Sequence, residues 1–228
     1  GLNLSKLHGA VDLLPTPNRP PGGSDPHRDG EDPDSPIRTA LRRHAAGEFD
    51  AVVSAGSTGA QVIASLAELG KCAGVTRPAV GSFFPTATGR CFMLDVGASL
   101  VASAHHLVQF AAMGLVYARE LTGLENPRVG VLNVGSESAV GERAVVEAFR
   151  LLSGSGLNFV GFVEGRDIPL GTADVIATNG LIGNVLLKFS EGLPGLIAGT
   201  LSSESDREAL TKVRELFDYE VHGGEPLL

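Results

Sequence analysis

The sequence predicts an α/β fold built on a mostly parallel sheet, and two observations carry that expectation. From residue 36 onward, short apolar runs alternate with longer stretches in which apolar side chains recur at helical spacing. Glycine-rich turns bearing Ser, Thr, Asn or Asp follow several of those runs, where the strand-to-helix connections of a parallel sheet fall. With 228 residues, 43 % of them hydrophobic, the chain can bury a core of one or two domains.

The elements follow in order. Residues 1–14 carry Leu2, Leu4, Leu7, Val11, Leu13 and Leu14, enough for a short strand or helix. Residues 15–36 hold seven of the 13 prolines and no apolar side chain, so they cannot bury enough surface to offset ordering entropy. Residues 1–35 are therefore expected to be disordered or irregular, and 36–228 to form the α/β domain. Pro36 opens a helix over 37–46, ended near Gly47. Asp50–Ser54 reads as a short buried strand and Thr58–Leu69 as a helix with Val62, Ile63, Leu66 and Leu69 on one side. Ala79–Phe84 and Cys91–Val96 read as strands joined by a tight turn near Gly89-Arg90. Then come a helix over Ser103–Leu121, a strand over Arg128–Val134 and a helix over Glu137–Leu152. Strands over Asn158–Glu164 and Ala173–Thr178 precede helices over Leu181–Phe189 and Glu204–Phe217. No internal repeat is present.

Composition excludes several classes. The net charge is −8, without the basic footprint of a nucleic-acid binder. Two cysteines, Cys72 and Cys91, make neither a disulfide framework nor a cysteine zinc site, and read as reduced thiols. No apolar run approaches the roughly 20 residues of a spanning helix. The chain does not open on a basic region followed by an apolar stretch. These features predict a soluble cytoplasmic protein. The neighbours His105 and His106 diverge by about 100° on a helix, which sets them against sharing one metal.

In open α/β sheets, ligands bind beyond the carboxyl ends of the strands. Four such ends are Ser54–Gly59, Leu94–Ser99, Leu132–Glu137 and Thr178–Asn184. Each sets Gly beside small polar residues, so backbone amides can approach an anion. The first loop lacks the Gly-Lys-Ser/Thr ending of a nucleotide P-loop. A plain helix cap would read the same way. Asp95 and Glu164 are the acid–base candidates at strand ends. Lys188 is a candidate anion contact, and Arg38, Arg42, Arg43 and Arg77 form a candidate local basic patch.

Seven stretches come in one order: Asp50–Ala60, Arg77–Ala79, Leu94–Ser99, Gln109–Gly114, Pro127–Gly135, Asn158–Asp167 and Ala173–Lys188. The chain closes on Gly223–Leu228. The series, spanning about residues 36–228, resembles the PlsX-type phosphate acyltransferases of bacterial phospholipid synthesis. The resemblance implies a Rossmann-like three-layer α/β/α fold of the isopropylmalate-dehydrogenase and phosphotransacetylase kind. It implies transfer of a fatty acyl group from acyl carrier protein to inorganic phosphate, with no cofactor and no metal. It also implies a homodimer with peripheral contact to the cytoplasmic membrane, through a hydrophobic helical tip near Leu181–Leu201. On that reading Asp95, Asn179, Asn184 and Lys188 are catalytic. Ser54, Gly56, Ser57, Thr58, Gly59, Asn133, Gly135, Ser136, Glu164 and Gly180 line the phosphate and substrate sites. The chain departs from the family pattern at Ser57 and Ser99, where Asn is usual, at Asn179, where Asp is usual, and at Val140-Gly141, where Lys-Gly is usual. Two other readings stand beside it. One is a non-catalytic module that binds acyl carrier protein or membrane, and the other a short-chain phosphotransacylase using acyl-coenzyme A.

Overall fold

The structure, a computed structural model, describes residues 14–16, 26–137, 141–200, 211 and 226–228. It forms two compact units, Gly1–Lys71 and Cys72–Leu228.

The first unit holds α1 (Pro26–Glu31), α2 (Pro36–Ala45) and α3 (Thr58–Glu68). Pro36 stands at the first position of α2, where its missing N–H costs nothing, and the buried Ser35 hydroxyl accepts from the Arg38 amide. Glu68 at the end of α3 accepts from Arg38 Nε (2.7 Å) and Arg42 Nη2 (3.1 Å). The Arg42 bond, joined by that from Arg38, outweighs burial and holds the Glu68 carboxyl below its usual range.

Two features of this unit differ from expectation. Pro26–Glu31 is a helix inside the stretch read as disordered. Residues 27–31 bring no apolar side chain of their own. Gly30 instead lets its backbone lie against Ile63 and Ala60, and Arg38 and Arg42 donate to the carbonyls of Glu31 and Pro33. The strand expected at Asp50–Ser54 is absent: the segment has no regular structure, and Val53 is 98 % exposed. A strand exists only where a neighbour takes its backbone hydrogen bonds, and no described strand pairs with this one.

The second unit is a five-stranded sheet of β1 (Gly81–Thr86), β2 (Gly89–Leu94), β3 (Val129–Leu132), β4 (Phe159–Val163) and β5 (Val175–Ala177), in the order β1-β2-β5-β3-β4. β1 and β2 form the expected hairpin, with Thr86 opposite Gly89, and the remaining pairings are parallel. The closing residues lie antiparallel to the segment before β1, Ala79 and Leu228 exchanging backbone hydrogen bonds of 2.8 Å. The core of Phe92, Leu94, Leu107, Phe110, Val129, Val131 and Val175 lies between the sheet and the helix α4 (Ala104–Thr122). Each such side chain contributes about 1.5–3 kcal/mol by leaving water.

Ser103 caps α4, and Gly123 ends it at φ 71°, a left-handed conformation that suits glycine. α5 (Arg143–Ser153) packs on α4, β3 and β4 and starts later than expected, because Gly141 at φ 133° takes a non-helical turn. α6 (Gly180–Thr200) outruns the expected Leu181–Phe189 and continues through Pro194, which removes a single helix amide. The expected helix at Glu204–Phe217 lies outside the described residues. At the amino end of the sheet Arg128 binds Asp174 through Nε (3.1 Å), Nη2 (2.8 Å) and its amide (2.7 Å), and donates to the carbonyls of Gly171 and Thr172.

Candidate active site

Four parallel strands bring their carboxyl ends to one edge of the second unit. Across the sheet, β2, β5, β3 and β4 are followed by Asp95, Asn179, Asn133 and Glu164. Neighbouring ends are stitched by backbone bonds: Asp95 N to Thr178 O (3.1 Å), Thr178 N to Leu94 O (2.8 Å) and Asn133 N to Val163 O (2.9 Å). At about 4.8 Å between strands, the polar row is about 14 Å long. The loops Leu94–Ser99, Leu132–Glu137 and Thr178–Asn184 thus lie along one edge of this unit.

Asp95 is fully buried. Its Oδ1 accepts from the amides of Val80 (3.1 Å), Gly97 (3.0 Å) and Ala98 (2.9 Å), and its Oδ2 accepts from the Ser99 hydroxyl at 2.6 Å. The charge is thus satisfied by the chain's own donors. Ser99 in turn accepts from the Gly180 amide at 3.4 Å.

The first turn of α6 closes on the same loop. Asn179 caps the helix, its Oδ1 accepting from the Ile182 amide (2.9 Å). A Cβ at Gly180 would collide with Ser99 and the Asp95 carboxylate, and one at Gly183 with the Asp95 carbonyl. Glycine at both positions lets helix and loop backbones touch. Asn184 Nδ2 donates to Val96 O at 3.0 Å. Asp95, Asn179, Gly180 and Asn184 are brought together. Lys188 is not: it is exposed and bound to Glu191 at 2.8 Å, one turn along the helix surface.

Asn133 is buried, and its Nδ2 donates to Gly135 O at 2.9 Å. Gly141 lies against the Asn133 amide, too close for a side chain. Ser136 is exposed, and Val140 lies outside the described residues. Glu164 caps the short helical turn Gly165–Asp167 and pairs with Arg166 at 3.0 Å.

The loop Ser54–Gly59 belongs to the first unit. Ser54 Oγ accepts from the Gly56 amide (3.1 Å), and Ser57 caps α3 by accepting from the Ala60 amide (3.3 Å). The helix-cap reading of this loop is what the structure contains. The amides of Thr58 and Gly59 lie in the first turn of α3, whose donors have no partner within the helix.

The histidines separate as expected, His105 exposed and His106 half-buried. His106 Nδ1 accepts from the Ser103 amide at 3.2 Å. Burial first, then the charges of Arg77 and His105, push its pKa down. Among the described residues no cluster of three or more His, Cys, Asp or Glu is placed to hold a metal, and no helix is long and apolar enough to cross a membrane. The proposed basic patch is mostly neutralised, since Arg38 and Arg42 bind Glu68 and Arg43 binds Glu48. Ser99 and Gly183 fall within the candidate strand-end loops, but the sequence assigns no role to either. The readable signals were a serine one α-turn after Asp95 and the small pair Gly180 and Gly183 at helical spacing.

Residues 27–228 match the family model described as fatty acid synthesis protein. The chain is 43% identical over 208 residues to the phosphate acyltransferase of Desulfitobacterium hafniense (strain Y51), covering 86% of this chain and 62% of that protein. It is 42% identical over 207 residues to that of Heliobacterium modesticaldum, with the same two coverages. The chain thus spans about three-fifths of the length of the curated relatives it matches. Among solved structures, a phosphotransacetylase from Streptococcus pyogenes superposes with a TM-score of 0.55 at 17% identity, covering 69% of this chain and 54% of that chain. The EutD phosphotransacetylase from Staphylococcus aureus gives 0.51 at 16%, covering 70% and 56%. The likeness is one of fold, the three-layer α/β arrangement. The resemblance read from the ordered motifs is borne out, and the chain belongs to the fatty acid synthesis protein family.

Proposed function

We propose that this chain carries out, or forms the larger part of a protein that carries out, acyl transfer from acyl carrier protein to inorganic phosphate. One observation supports this reading above others: 43% identity to a phosphate acyltransferase over 86% of the chain. In the step itself a phosphate oxygen attacks the thioester carbonyl, the new C–O bond forms and the C–S bond breaks. The proton of hydrogen phosphate ends on the leaving sulfur, so the products are acyl phosphate and carrier thiol. The balance needs no oxidant, reductant or cofactor.

In this proposal the site works by positioning and hydrogen bonding. Asp95 is a positioning residue and not a base, because its oxygens are occupied by Val80, Gly97, Ala98 and Ser99. Asn184 and Gly180 fix the start of α6 against that loop. Asn133 and Asn179, with the amides of Gly135 and Ser136, offer polar lining along the sheet edge. The amides of Thr58 and Gly59 offer an anion cradle in the first unit, beside Ser54, Gly56 and Ser57. Lys188, bound to Glu191, serves the helix surface.

The same reading includes a homodimer, a cytoplasmic location and peripheral membrane contact. The dimer and the membrane contact are supported by the exposed Leu181, Ile182, Val185, Phe189 and Leu196 on α6. A non-catalytic reading draws on one observation: the described row presents amides and satisfied carboxylates, with no acid or base left over. Incubating purified protein with palmitoyl-acyl carrier protein and phosphate, with hydroxylamine as trap, separates the two. Phosphate-dependent hydroxamate supports the enzyme. Its absence from folded protein that still binds the carrier supports the module, and product from acetyl-coenzyme A alone indicates a short-chain transacylase.

A further inference from the structure

Most cations of the described surface are already committed. Arg38, Arg42, Arg43, Arg128, Arg150, Arg166 and Lys188 each face a carboxylate. Arg90, Arg119 and Arg143 have no ion pair among the described residues, but all three are exposed, and Arg90 lies over the Phe83 ring at 4.6 Å. Arg77 differs. It is half-buried, and its Nη1 donates to the carbonyl of Val101 at 3.0 Å. Among the described residues no carboxylate pairs with it. A guanidinium has five N–H donors and is always charged, so donors beyond the one on Val101 are available to an anion.

Its place in the fold is close to the polar row. Arg77 begins the segment that reaches Val80, whose amide binds Asp95 and whose carbonyl accepts from Val96. Val101 lies on the connection that leaves β2 through Asp95 and Ser99. The guanidinium is therefore held to the same loop that Asp95 organises, and Leu100 and Val101 expose apolar side chains beside it. The segment itself is fixed: Gln109 on α4 accepts from the Thr76 amide and hydroxyl (3.1 and 2.6 Å) and donates to Gly74 O. A cation on a braced backbone suits the forked recognition of a phosphate group.

We propose that Arg77 is a phosphate-binding residue of the site, its ligand being either the inorganic phosphate co-substrate or the phosphodiester in the carrier's pantetheine arm. This inference rests on the acyl-transfer reading for the identity of its ligands, and not for the binding itself. It deepens that reading by naming the residue that meets the anion.

The experiment titrates wild type, Arg77→Gln and Arg77→Lys with inorganic phosphate and, separately, with 4′-phosphopantetheine. Binding is followed by calorimetry and by the ring-proton shifts of His106. Gln removes the charge while keeping a polar side chain, and Lys restores the charge without the fork. For one of the two ligands, Arg77→Gln weakens binding by about tenfold or more and Arg77→Lys recovers part of the loss. Loss confined to phosphate assigns the co-substrate, and loss confined to phosphopantetheine assigns the carrier arm. If wild type turns over, the matching KM rises while kcat changes little. Equal affinities in wild type and a folded Arg77→Gln overturn the proposal, and so does a wild type that binds neither ligand. A protein that binds phosphate through Arg77 but forms no acyl phosphate leaves this inference standing and removes the acyl-transfer reading alone.

Discussion

The Ser99 hydroxyl donates to Asp95 Oδ2 at 2.6 Å, and both residues are buried where β2 meets the start of α6. This bond, with three backbone amides on Oδ1, makes the Asp95 carboxylate the anchor of the loop. Asp95→Ala leaves those donors unpaired and is expected to lower unfolding free energy by about 3 kcal/mol. Asp95→Asn keeps the Oδ1 acceptor and costs about half of that. Chemical denaturation gives both values. If activity is present, a pH–rate profile of Asp95→Asn with unchanged shape supports positioning, and loss of a limb would mark Asp95 as the base.

Glycines along α6 are expected to divide by position. Gly183→Ala drives a methyl into the Asp95 carbonyl and forces helix and loop apart, a cost of at least about 2 kcal/mol. Gly192→Ala meets nothing within 4 Å and is expected to stabilise by about 0.5–1 kcal/mol through helix propensity. Thermal melts of the two variants in opposite directions would bear this out. Equal shifts would contradict the packing described for the first turn.

Much of the second unit was legible in the sequence, because apolar β-rich runs and helical spacing both report burial. The strand ends carrying Asp95, Asn133, Asn179 and Glu164 were placed correctly for that reason. Asp50–Ser54 was misread, since an apolar run says nothing about whether a neighbour takes its backbone bonds. The role of Asp95 was equally hidden. One of its donors, Val80, lies fifteen residues away, and only folding brings it in. Lys188 is the opposite case: its spacing from Glu191 already implied a surface pair. Arg38 and Glu68, thirty residues apart, gave no such signal.

His106 makes stability depend on pH. Its native pKa lies below the ordinary 6.5, so the unfolded chain binds the extra proton first. The contribution is present above about 6.5 and is lost as pH falls through the lowered native value. Protonation also removes the Nδ1 acceptor that caps α4. His106→Gln keeps a capping acceptor that does not titrate. Between pH 7 and pH 5 the wild type is expected to lose more stability than this variant, read by denaturation at each pH.

The two thiols should differ in reactivity. Cys91 is buried, and burial pushes its thiol up to about 12, whereas Cys72 is exposed. Titration with a disulfide reagent at pH 8 should modify one thiol in folded protein and two in denaturant. Rapid reaction of both in the folded state would contradict the placement of β2 in the core.

The most direct measurement follows both products of the proposed transfer in one tube. Purified protein, palmitoyl-acyl carrier protein and phosphate are monitored by 31P NMR for acyl phosphate and by thiol titration for free carrier. The account predicts that both appear together in equal amounts and only when phosphate is present. Thiol release without acyl phosphate, or neither product from folded protein that binds both substrates, would contradict it.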